Sequence, residues 1–121
     1  MIEKIEQPLA YALVSWLLPE EGGRSSGPPT APVYAATCVF PLGGETEVQS
    51  DWPASTDQLS VLLQEVEEFP DRVRLYKIDF LVRDLARPFL HPGADMLVME
   101  GPKVVAKAAV LSVVGKPTGD A

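Results

Sequence analysis

Apolar residues in this chain come in short runs separated by clusters of glycine, proline and acid, and most runs carry the two-residue alternation of strands. The last two runs are the clearest. Residues 96–99 and 104–114 flank Glu100-Gly101-Pro102-Lys103, where glycine permits positive φ and proline fixes the next φ near its turn value. That pattern predicts a hairpin. In the second run the even positions Val104, Ala106, Ala108, Val110 and Val114 are small and apolar, whereas Lys103 and Lys107 stand at odd positions. Strand residues alternate faces, so the even set is expected to fill an interior. Small residues repeated on one face suit the cramped inside of a small closed barrel.

Upstream, residues 9–18 are apolar on both faces, which predicts a strand whose outer side is partly covered; periodicity leaves a buried helix as the competing reading. Pro19 opens a loop that runs through Glu20, Glu21, Gly22, Gly23 and Arg24 to Pro29. Residues 31–40 predict a second strand, and residues 45–49 a short polar edge strand. Leu59, Leu62, Leu63, Val66 and Phe69 then fall at helical spacing behind the capping candidates Ser55, Thr56 and Asp57. They predict one amphipathic helix over residues 58–69, within a helical insertion spanning 55–69, docked on the barrel or on a partner. Pro70 ends it. Residues 72–83 predict a strand with Tyr76, Ile78, Phe80 and Val82 on one face, and residues 84–92 loop back to the hairpin. Residues 1–7 and 115–121 are expected to be flexible ends of a single domain spanning residues 1–121.

Composition narrows the classes. A 121-residue chain can hold a core without disulfides or metals. With 10 basic and 17 acidic residues the formal net charge is -7, a field that repels phosphates and favours a basic partner. Nucleic acid is therefore disfavoured as a ligand. The lone cysteine, Cys38, can form no internal bridge, which fits a reducing compartment. The run at 9–18 falls short of the roughly 20 apolar residues of a membrane helix and lacks the basic start of a secretory signal. A soluble cytoplasmic protein, off the membrane, is the expectation.

Taken in order, the acidic Glu20-Glu21-Gly22-Gly23-Arg24 loop after a strand, Phe69-Pro70-Asp71 entering another, and Gly93 to Val98 with Met99-Glu100-Gly101 before a small-residue closing strand resemble the third domain of elongation factor Tu-like translation factors. The similarity runs from about Tyr11 to Val114. It implies a mainly β fold, a six-stranded antiparallel β-barrel of the translation-factor type, here with one added amphipathic helix that has no family counterpart. The departures bear on function. No Gly-x-x-x-x-Gly-Lys-Ser/Thr stretch occurs, so the family's nucleotide chemistry is missing. The family's Gly-Tyr-Arg-Pro has become Ala31-Pro32-Val33-Tyr34, its arginine before Glu-Gly is Met99, and the following Gly-Arg pair is Pro102-Lys103. Most of the positive charge with which that face helps hold transfer RNA in the family is thereby lost.

Candidate chemistry is sparse. Arg24 either forks onto a ligand carboxylate or phosphate or pairs with Glu20 or Glu21 in its own loop. His91 has no second histidine for a ligand set and reads as a surface residue, and Cys38 reads as a small buried hydrophobe. Glu65, Glu67, Glu68 and Asp71 are either phosphate mimics toward a basic partner or the solvated face of the helix. Trp52, between Asp51 and Pro53, is either an exposed aromatic anchor or a cover for the seam between helix and barrel. The leading expectation is a non-enzymatic protein-interaction module, without cofactor or metal, whose contact residues are Glu20, Glu21, Gly22, Gly23, Arg24, Trp52, Met99, Glu100 and Lys103. Its partner is another protein or a second copy of the chain. The alternatives are binding to RNA or the translation machinery, and a small ligand-binding or hydrolytic barrel using Arg24, His91 and Asp95.

Overall fold

The computed structural model describes residues 4–41 and 58–114. Six strands, β1 (Ala10–Trp16), β2 (Tyr34–Val39), β3 (Leu59–Glu68), β4 (Val73–Phe80), β5 (Asp95–Glu100) and β6 (Lys103–Val113), close into an antiparallel barrel. The order around it is β1-β4-β3-β2-β5-β6, and β6 returns to β1 to complete the ring. One short helix, α1 (Arg83–Ala86), follows β4. The mainly β fold and the six-stranded closed barrel expected from the sequence are therefore what the chain forms.

Alternation builds the interior. Ala10, Ala12, Val14 and Trp16 of β1 face inward, and they meet Tyr76, Ile78 and Phe80 of β4 and Ala106, Ala108 and Val110 of β6. The small side chains of β1 and β6 pair across the closing seam, Ala12 with Val110 and Val14 with Ala108, which suits tight curvature of the strands. Two register shifts modify the even-position pattern of β6. One, opposite Val98 and Met99, sends Val104 to the outer face; the other, opposite Tyr11 and Ala12, leaves Leu111 exposed and turns Val113 toward the core. Val114, expected inside, is half-buried at the strand's end.

β5 is apolar along most of its length because both its faces are covered. Met96 and Val98 point into the barrel, while Leu97 and Met99 join Val39 and Val104 in a second buried cluster on the outside, against which Leu17 packs. Glu100 pairs with Lys103 across the two-residue turn, where Gly101 takes φ 61°, as the Gly-Pro signal predicts.

The amphipathic helix expected over residues 58–69 is instead strand β3. Of its five stripe residues only Leu59 and Leu63 face the core. Leu62 lies on the outer side, Val66 sits in a bulge opposite β4 at 48% exposure, and Phe69 falls past the strand end. The run Val61-Leu62-Leu63 fits either period, and pairing with β2 on one side and β4 on the other decides for the strand. Val82, expected on the buried face of the next strand, is exposed beyond the end of β4. Among residues 4–7, Ile5 is held rather than frayed: its N–H donates to Gln64 Oε1 at 2.6 Å and its carbonyl accepts from Lys77 Nζ at 3.4 Å. The edge strand expected at 45–49, the capping residues 55–57, Trp52 and the tail from 115 lie outside the described residues.

Candidate functional site

The loop after β1 is fixed by its first residue. Leu17 N–H donates to Val105 O at 3.0 Å while its side chain seals the outer cluster, so the loop starts flat against β5 and β6. A 3₁₀ turn over Pro19–Glu21 follows, with the Glu21 carboxylate accepting from Leu18 N–H at 2.7 Å. Gly22 leaves this turn at φ 96°, and Gly23 N–H reaches back to Leu18 O at 2.9 Å. Only glycine fits at position 23, because a Cβ there would stand 2.1 Å from the Leu17 carbonyl oxygen.

This geometry delivers Arg24 to the β5–β6 turn. Its Nε donates to Glu100 Oε2 at 2.7 Å and its Nη1 to Gly27 O at 2.6 Å. The Tyr34 hydroxyl donates to the same Glu100 oxygen, and the guanidinium lies 5.3 Å from the Tyr34 ring centroid. Below them Trp16 meets Tyr34 and Tyr76 edge-on, with centroids 5.7 and 6.0 Å away, and its indole N–H donates to the Tyr76 hydroxyl at 3.1 Å.

Across the same end, Arg74 binds Glu65 at 2.7 Å and Glu68 at 3.3 Å. Its Nε is buried and has no hydrogen-bond partner among the described residues. The β3–β4 turn holds Asp71 and Arg72 at φ 63° and 65°, values that glycine favours. The Arg72 guanidinium donates to Trp16 O at 2.8 Å and approaches Glu21 at 3.4 Å, tying this turn to the loop.

Protonation follows from these contacts. Burial alone would raise the Glu100 carboxyl, but hydrogen bonds from Tyr34 and Arg24 outweigh it and hold the group below its usual range. Burial, then the bond to Glu100, pushes the Tyr34 phenol well above its ordinary value, so it remains a donor. Burial raises Tyr76 to about 12 and the Cys38 thiol to about 12, which fits Cys38 as a core side chain. For Arg74 burial opposes the charge, yet the Glu65 and Glu68 carboxylates prevail and raise its pKa.

Of the residues predicted to form a contact surface, Glu20, Glu21, Gly22, Arg24, Glu100 and Lys103 come together at this rim. Arg24 pairs with Glu100 rather than with Glu20 or Glu21, because the turn at 19–23 carries it away from both. Gly23 is buried as a packing residue, and Met99 is fully buried in the outer cluster, so neither is a contact residue. Glu65 and Glu68 lie on a strand instead of a helix face. Trp16, Tyr34, Arg72, Arg74 and Tyr76 join the rim although no local motif marks them as site residues: each sits in or beside a strand whose neighbours appear only on closure.

β5 runs from Asp95 at one end of the barrel to Glu100 at the other, so Asp95 and His91 lie opposite Arg24 and the three do not assemble. His91 and Asp95 line a cavity of about 340 Å³ walled by Phe40, Pro41, Pro88 and Phe89, with the Phe40 and Phe89 rings stacked at 5.2 Å. Among the described residues no group of three or more His, Cys, Asp or Glu is placed to hold a metal ion, and no helix is long and apolar enough to cross a membrane. No protein-family model matches this chain, and no curated protein is similar enough to count as a relative.

Proposed function

We propose that this chain is a non-enzymatic protein-interaction module, akin to the third domain of elongation factor Tu. In this reading it engages a basic protein surface through the rim of Glu20, Glu21, Gly22, Arg24, Glu100 and Lys103. The single observation that carries the reading is the Arg24–Glu100 pair at 2.7 Å, which fastens a glycine-rich loop to the closing hairpin and so presents exposed acids from a preorganised frame. The net charge of -7 supports a basic partner over nucleic acid. A cytoplasmic location belongs to the same reading, supported by the lone buried Cys38.

The test is tagged capture from host lysate with and without nuclease, comparing wild type with Glu20→Lys and Arg24→Glu. A nuclease-resistant protein partner that binds wild type and is lost in both variants supports the rim. Recovery of RNA or ribosomal material alone, abolished by nuclease, would replace this reading with one in translation. Glu20 is exposed, so Glu20→Lys keeps the fold intact where Arg24→Glu loosens the loop.

A further inference from the structure

β3 outruns its neighbour on one side. β2 pairs with it from Leu59 to Leu63 and stops at Tyr34. The chain bends through residues 31–33, where Pro32 has no N–H with which to continue the ladder. On its other side β4 stays paired as far as Glu68. Among the described residues, the stretch from Gln64 to Glu68 therefore has a backbone partner on its β4 side and none on the other. Within the closed ring of described strands, this stretch of β3 is paired on one side alone.

We propose that this edge is a strand-addition site for an extended partner segment carrying lysine or arginine at alternate positions. The inference rests on the protein-interaction reading and names the chemistry of the partner and how it binds. Main-chain hydrogen bonds along the open edge supply affinity, and the side chains of β3 supply the choice of sequence. Those side chains are Glu65, Val66, Glu67 and Glu68, since that of Gln64 is engaged by Ile5 N–H. Arg74 is shared between Glu65 and Glu68, and Glu67 forms no ion pair among the described residues, so negative charge remains in excess along the edge. A second copy of the edge would set glutamate against glutamate, which opposes self-pairing; a basic strand reverses the sign of the same interaction. Val66, exposed in the bulge, offers the added strand one apolar contact, and the twist of the bulge keeps the addition short. The edge lies at the barrel end that carries the rim, since Glu68 pairs with Arg74 and the adjoining turn reaches Glu21 through Arg72. One partner can span both.

The experiment titrates the ¹⁵N-labelled full chain with a short capped peptide of alternating lysine and valine. Two control peptides accompany it: one of alternating glutamate and valine, and the lysine–valine peptide with alternate amides N-methylated. The expected result is amide shifts and slowed exchange confined to residues 64–68. Affinity should fall about tenfold on N-methylation and again in Glu67→Lys, and the glutamate peptide should not bind. No binding of the lysine peptide overturns the proposal, as does equal binding of the N-methylated form, which would mark a purely ionic contact. The critical change is in the probe, so misfolding of a variant cannot mimic the result. A captured partner lost in Arg24→Glu but kept in Glu67→Lys would remove strand addition and leave the rim reading standing; a partner kept in both would remove the two together.

Discussion

Arg24 and Glu100 stand 76 positions apart in the chain, and one carboxylate oxygen receives both the guanidinium and the Tyr34 hydroxyl. Because Glu100 is held below its ordinary 4.5, its contribution to stability is complete above that value and drains away as the pH falls through the lower folded-state pKa. The side chain is 37% exposed, so solvent screening keeps the contribution small. Thermal melts across the acid range should show wild type losing stability below pH 4.5 more steeply than Glu100→Gln; parallel curves would mean the pair does not hold the loop. The Trp16 indole N–H is buried on Tyr76, so Tyr76→Phe strands a donor and should cost about 1–3 kcal/mol in denaturant unfolding. Position 23 is stricter. Gly23→Ala forces Cβ into the Leu17 carbonyl and should destabilise by about 1–3 kcal/mol or more, with the largest amide shifts at Leu17 and Leu18.

At the scale of elements, β3 joins two unlike halves. Residues 59–63 are flanked by β2 and β4, whereas residues 64–68 are flanked by β4 alone. Amide exchange should divide accordingly, slow in the first half and fast at alternate positions of the second, and uniform protection would mean another segment covers the edge. This strand also shows where reading a sequence stops. The final hairpin was legible because its turn residues and alternation agree locally, and so was β4 through Tyr76, Ile78 and Phe80. β3 was not, since Leu59, Leu62, Leu63, Val66 and Phe69 fit a helix, and only neighbours distant in sequence select the extended form. The site divides in the same way. The glycines and Arg24 announced a shaped loop, but the partner of Arg24 depended on Leu17 finding the outer cluster, which no spacing encodes.

For the whole molecule, four of the six strand pairings, β1–β4, β1–β6, β2–β3 and β2–β5, join strands that no tight hairpin connects, so refolding should be slow for a domain of this size, in the range of milliseconds to seconds. Stopped-flow tryptophan fluorescence would follow it, with Trp16 buried in the core as one reporter. Refolding within microseconds would contradict a ring whose first strand pairs with its last. That seam has a temporal side. Both neighbours of β1, β4 and β6, belong to the second half of the chain, and the last of them begins at Lys103. At translation rates of about 5–20 residues per second, β1 waits about 5–20 s for the strand that completes the ring. Through that interval Ala12, Val14 and Trp16 have no finished interior to enter, so the nascent chain exposes apolar surface that the closed barrel hides.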